Sequence, residues 1–268
     1  MVARSYLFVP GHRSDRFDKA WAAGADQVII DLEDAVPPAD KTRARALVAA
    51  WLSPERPVLV RINGADSEWF RDDLALCGKP GVAGIVLPKA EREADLTALS
   101  AAGAQAILPL IETAQGLWNC ALLARVTRVE RLVFGSIDFS LDLGIREGHE
   151  QLLYARSQLV LASRVAGIAA PVDGVTTTFD DPGVVRDDTL RSRALGFGAK
   201  LCIHPQQVAP VNDAFVPTSE ELAWAGRVMA AAEAANGAAV AVDGKMLDRP
   251  VFLTAQQMLD EARRRGRM

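Results

Sequence analysis

Six short apolar runs in this 268-residue chain end on side chains that could do chemistry. "IIDLEDAVPP" delivers Asp31, Glu33 and Asp34; "VRING" delivers Arg61 and Asn63; "LPKAE" delivers Lys89; "PLIET" delivers Glu112; "FGSIDFSLDLG" delivers Asp138; and "IHPQQ" delivers His204. A buried strand has no use for a charge at its end, so each group needs a reason. Structural reasons exist. A carboxylate after a strand often caps a helix or sits in a loop, a reading that competes evenly with function for Glu112 and is favoured for Asp142. Lys89 could only neutralise the acids, Asp34 could organise a turn, and His204 before its proline reads better as a packed histidine. Convergence argues for chemistry, because several acids and one arginine at one rim repel or need partners unless something binds between them.

Glu112 and Asp138 follow consecutive runs and offer oxygen donors of the kind a hard divalent cation takes. Magnesium fits best, since it asks for one or two carboxylates and keeps positions for water and substrate oxygens. No H-x-x-H or C-x-x-C spacing is present, which disfavours zinc. Asp31 and Glu33 are then expected to hold the metal's waters, and Arg61 to lay its planar fork on a substrate carboxylate or carbonyl.

Positioning such groups requires a scaffold that gathers many strand ends. Eight apolar runs qualify: 5–9, 27–31, 58–62, 84–88, 106–111, 131–135, 172–175 and 199–203. Helix signals separate most of them, at Ser14, Asp40, Ser67 and the stretch from 151. Alternation of this kind predicts parallel strands in βαβ units, and continuous rather than alternating apolar character predicts strands covered on both faces. An α/β fold follows: a (β/α)8 TIM barrel over 1–216, with a doubly wound open sheet as the alternative. Active sites of such barrels lie at the C-terminal strand ends, where the charges fall.

Residues 217–268 exceed what the barrel needs and predict a C-terminal helical extension or lid. One helix starts near Ser219 with a partial capping box, and a Gly-punctuated connection leads to a second helix opened by Pro250. The basic run at 262–267 reads as a solvated helix end. Half the residues are hydrophobic, yet no uncharged apolar run reaches membrane-spanning length, and no secretory signal is evident. A cytoplasmic protein without membrane or nucleic-acid partners is expected, the net charge of −4 giving no general basic field. Cys77, Cys120 and Cys202 read as reduced thiols.

These motifs, together with "RSYLFVPGHRSDRFDKA", "GADQVIIDLEDAVPPADKTRAR", "KLCIHPQQV" and "DGKMLDRP", resemble the citrate lyase β-subunit-like proteins and their malyl-CoA and citramalyl-CoA lyase relatives. The resemblance implies a barrel, Mg²⁺ on Glu112 and Asp138, and Arg61 on a short oxo- or hydroxy-acid. It also implies acyl-CoA substrates, with Arg13, Arg16 and Lys19 near the CoA phosphates. Asp248 in the "GKMLDRP" lid motif would reach a neighbouring subunit's site, so a homo-oligomer, a trimer in the family, is implied. The expected activity is carbon–carbon cleavage of a β-hydroxyacyl-CoA. Alternatives are a metal-dependent aldolase on free acids, a Schiff-base aldolase using Lys89 or Lys200, or a carrier-dependent subunit of a citrate lyase assembly.

Overall fold

The computed structural model describes residues 3–146, 149–236 and 238–264. They fall into two compact units, one running to Phe215 and one starting at Val216. In the first, β1 (Ser5–Pro10), β2 (Gln27–Asp31), β3 (Val58–Arg61) and β4 (Val82–Leu87) are followed in turn by α1 (Phe17–Trp21), α2 (Lys41–Trp51), α3 (Phe70–Asp73) and α4 (Glu93–Ala101). Then come β5 (Ile107–Ile111), α5 (Ala114–Leu123), β6 (Arg131–Phe134), α6 (Ser136–Leu143) and α7 (Leu153–Ala166). The last segments are β7 (Ala169–Asp173), α8 (Pro182–Ala194), β8 (Ala199–Cys202) and α9 (Val208–Ala214). All eight strands are parallel neighbours in chain order, and β1 pairs with both β2 and β8. The sheet is therefore a closed (β/α)8 barrel, not an open one.

Strand alternation divides the core in two. Tyr6, Ile29, Leu59, Val86, Leu110 and Val133 belong to one buried cluster that fills the barrel. Their neighbours Leu7, Ile30, Val60, Ile85, Ile111 and Phe134 belong to a second cluster under the helices. Because side chains alternate with period two, Asp31, Arg61 and Glu112 each lie one inward step beyond Ile29, Leu59 and Leu110. The same parity closes the floor. Arg131, two residues before Val133, is 1% exposed and donates to the carbonyls of Ala3 and Ala170 and to the Tyr6 hydroxyl.

The second unit holds α10 (Ser219–Ala234), a hairpin of β9 (Val240–Val242) and β10 (Lys245–Leu247), and α11 (Arg249–Arg264). Ala225, Val228, Leu247, Phe252, Ala255 and Leu259 form its own core. Positions 265–267 of the basic run lie outside the described residues.

Three local expectations are corrected. The seventh strand is Ala169–Asp173, three residues earlier than the "VDGV" run, because pairing with β6 and β8 recruits "AAP", which is weak in β propensity. The cap of α10 is Thr218: its hydroxyl accepts from the Glu221 amide while the Glu221 carboxylate accepts from the Thr218 amide, a full capping box one residue before Ser219. The connection after α10 contains a hairpin, turned by Asp243 and Gly244 at φ +50° and +75°. Among the described residues no helix is long and apolar enough to cross a membrane.

Candidate active site at the barrel mouth

Glu112 leaves β5 pointing inward and is 2% exposed. Its Oε1 accepts the Lys89 backbone N–H at 2.8 Å, and among the described residues its carboxylate has no ion pair. The far side of the carboxylate lies over Gly135, where any Cβ would collide with the Glu112 side chain. Burial, then the negative charges of Glu33 and Asp138, push the Glu112 carboxyl up to about 8 against the opposing amide bond. A carboxyl so disfavoured as an anion awaits a positive charge.

Asp138 stands in the first turn of α6 and is half-buried, with no hydrogen bond or ion pair for its carboxylate among the described residues. Glu112 and Asp138 line one cavity of about 300 Å³, together with Asp31, Asp34 and Arg61. Two carboxylates with no ion pair among the described residues, beside room enough for a small acid and without sulfur or imidazole in that cavity's lining, make an oxygen-only donor set. It fits a hard divalent cation completed by water and substrate oxygens. Among the described residues no group of three or more His, Cys, Asp and Glu gathers as a closed metal cage, so such a site would stay open.

Beside the pair lies a charge network in which one buried oxygen, Glu33 Oε2, accepts no hydrogen bond. Arg61 donates Nε and Nη2 to the two Asp31 oxygens, each at 2.7 Å, and its Nη1 is 3.1 Å from Glu33. Asp31 also accepts the Glu33 and Ala35 amides, so its carboxylate is fully used. Lys89 Nζ reaches Glu33 at 2.6 Å. Burial alone would favour a neutral Arg61, but Asp31, Glu33 and Glu112 together hold its pKa above the ordinary value. The guanidinium also sits over the Phe8 ring, 4.9 Å from its centroid, which fixes the fork's plane. Asp31 and Glu33 thus orient the cations.

The remaining candidates separate. Arg13 is bound by Asp15, whereas Arg16 and Lys19 are exposed at the start of α1, on the mouth side of β1. Asp248 belongs to the second unit, exposed immediately before α11, where its carbonyl accepts the Val251 and Phe252 amides. Asn63 binds buried Asp73, Asp142 accepts the Ala114 amide at the start of α5, and His204 caps the turn after β8 while packing on Phe179. Lys200 is 1% exposed and spent on Asp188 and the Gly174 carbonyl; neither it nor Lys89 lines the cavity, so the geometry offers nothing to a Schiff-base reading.

Sequence reasoning missed Gly135, although a glycine directly after a strand and before a helix is a signal of close approach. Gly135→Ala should push Glu112 aside and lower divalent-cation affinity about 10–100-fold, as read by titration calorimetry, with the fold kept by circular dichroism.

Residues 4–205 match the family described as HpcH/HpaI aldolase/citrate lyase. A citrate lyase subunit beta-like protein of Deinococcus radiodurans is 39% identical over 278 residues, covering 96% of each chain. A (3S)-malyl-CoA thioesterase of Cereibacter sphaeroides is 38% identical over 271 residues, covering 97% of this chain and 94% of the relative. The crystal structure of protein CitE from Mycobacterium tuberculosis in complex with magnesium, acetoacetate and coenzyme A has a TM-score of 0.88 at 34% identity, covering 97% of this chain and 98% of that one.

Proposed function

The chain belongs to the HpcH/HpaI aldolase/citrate lyase family, and from that premise we propose that it is a Mg²⁺-dependent carbon–carbon lyase. Its substrate is a β-hydroxyacyl-CoA of the malyl-, citramalyl- or citryl-CoA kind, cleaved, or formed in reverse, by Claisen-type chemistry. The supporting observation is the pair Glu112 and Asp138, two carboxylates with no ion pair among the described residues, sharing a cavity with a pre-oriented arginine. A Mg²⁺ relative that also holds an oxo acid and CoA supports the same reading.

Glu112 and Asp138 would hold the metal, which when bound supplies a Lewis acid for the substrate's hydroxyl and carboxylate oxygens. Arg61 binds the oxo-acid portion through Nη1 while Asp31 keeps its fork in plane. As the carbon–carbon bond breaks, the electron pair passes to the thioester as an enolate, and Arg61 offsets the negative charge on the departing acid. Asp248 protonates the enolate, or removes that proton in reverse, from a lid contributed by another subunit. The hydroxyl proton passes to solvent and one proton reaches the carbon through Asp248, so cleavage is proton-neutral overall. Arg16, Lys19 and, on release from Asp15, Arg13 would take the CoA phosphates. The working unit is then a homo-oligomer, a trimer by family resemblance, acting in the cytoplasm.

Incubating the purified protein with Mg²⁺ and a panel of acyl-CoA thioesters, with products read by mass, tests the reading. Release of an acyl-CoA plus an oxo acid supports it. Release of free CoA and an intact hydroxy acid would instead support thioester hydrolysis, the second reading that the malyl-CoA thioesterase relative favours. Cleavage of free hydroxy-oxo acids with no action on CoA esters would point to a free-acid aldolase, and activity only with an acyl-carrier partner to a carrier-dependent subunit. Asp248→Asn should lower turnover about 10²–10⁴-fold with metal affinity unchanged; full activity in that variant removes Asp248 from the mechanism.

A further inference from the structure

The helices around the barrel differ in what they show to solvent. α8 carries five charged residues in 13, as a solvated helix should, whereas α5 carries none in 10 and α7 only Arg156 and Arg164 in 14. Arg156 is buried against Asp173, leaving Arg164 as the exposed charge of α7. In place of charge, Trp118 and Leu122 of α5, Leu141 of α6, and Tyr154, Leu161 and Val165 of α7 stand more than half exposed. Spacings of four, seven and eleven residues keep each group on one side of its helix. The three helices adjoin, and Trp118, Leu143 and Tyr154 line one groove of about 390 Å³.

We infer that this α5–α6–α7 face is covered by a second copy of the chain, and that the contact holds α6, and with it Asp138, in place at the metal site. Area is the first ground. Trp118 at 85% and Tyr154 at 73% exposure leave roughly 240–400 Å² uncovered between them. Four aliphatic side chains extend the face beyond the largest patch of a typical monomer, about 300–600 Å², toward the about 800 Å² that each partner of a standard interface buries. Composition is the second ground: few charges, two large aromatics and one arginine mark the core of a lasting interface, not a transient one. A membrane surface would ask for a basic collar, which α5 and α7 lack. Continuity with the site is the third. Leu141 lies one turn on from Asp138, and α6 is anchored inward by Phe139 edge-on to Phe134, with no side-chain cap at Gly135. A copy seated there stands beside the metal helix, where a lid acting on a neighbouring subunit must come from. The hold on Asp138 rests on the lyase reading; the interface does not.

Trp118→Glu and Leu161→Glu test this, since a carboxylate is tolerated on a solvated helix but not inside an apolar contact. The wild type should be oligomeric by light scattering. Each variant should keep its circular dichroism, dissociate at micromolar concentration and bind Mg²⁺ about tenfold or more weakly by calorimetry. Trp118 replaced by the photo-crosslinker p-benzoylphenylalanine should yield a covalent dimer of this chain, a readout that does not depend on the charged variants folding. A monomeric wild type, including one that floats with phosphatidylglycerol vesicles or crosslinks to a different protein, would overturn the inference. Assembly unchanged in both charged variants would do the same, and dissociation with Mg²⁺ affinity intact would overturn the hold on Asp138. A monomer that cleaves acyl-CoA thioesters removes the interface and keeps the lyase. An oligomer joined through Trp118 that cleaves none removes the lyase and keeps the interface.

Discussion

Glu112→Gln should lose Mg²⁺-dependent turnover by a factor of about 10³ or more and yet melt at a higher temperature than the wild type in EDTA at pH 8. Both outcomes come from one carboxylate. With no metal bound, the Glu112 carboxyl titrates at about 8 in the folded protein against an ordinary value of 4.5. Between those values the native state keeps a proton that the unfolded chain has lost, so stability falls as pH rises through this window and the full cost is present above pH 8. Every pH step of one across the window removes about 1.4 kcal/mol. The amide carries no charge, so the variant escapes the penalty. The melting gap should vanish below pH 4.5, where both forms are neutral, and open by about 2–4 °C per kcal/mol as pH rises. A variant that melts lower than wild type at pH 8 would contradict this electrostatic account. Metal binding at pH 7 should also expel a proton, seen as a calorimetric enthalpy that depends on the buffer's ionisation heat.

Arg61 should show the opposite pattern, with function and stability lost together. Its fork satisfies both oxygens of Asp31, whose side chain is 2% exposed, and its Nη1 lies near Glu33. Arg61→Met leaves two buried carboxylates with one cation, Lys89, between them, and should cost about 3–5 kcal/mol by denaturant unfolding. Arg61→Lys retains the charge but cannot span Asp31 and also reach a substrate, because an ammonium has no planar fork. It should keep most of the stability while kcat/KM falls about 10²–10³-fold. Near-normal turnover in Arg61→Lys would show that a point charge suffices and that the geometry at this position is not used.

Much of this site was legible in the chain because it obeys alternation. Asp31, Arg61 and Glu112 each sit two residues beyond a barrel-filling aliphatic, so the same period that marks the strand also aims the charge. Asp138 was read as a group following the sixth apolar run, and the structure places it in the first turn of the helix launched from β6. What the chain hid depends on partners distant in sequence. That Asp31 serves Arg61 follows from the register of β2 against β3, which no local pattern states. The beginning of β7 was obscured because "AAP" becomes a strand only between two neighbours. The Thr218–Glu221 box was a local signal assigned one residue late, at Ser219, and the Asp243–Gly244 turn lay inside a stretch read only as a Gly-punctuated connection.

Lys89 adopts φ +47°, an unfavourable conformation for a side chain of its size, and thereby turns its amide onto Glu112 while its ammonium goes to Glu33. An alanine scan would be blind to the first of these tasks, since truncating the side chain leaves the main-chain donor where it is. Whatever deficit Lys89→Ala displays reports on the ammonium, which pairs with Glu33 and lies in the field of Glu112, and not on the amide. Only replacing the peptide nitrogen by an ester oxygen, through semisynthesis, would expose what that donor contributes to the acid it steadies.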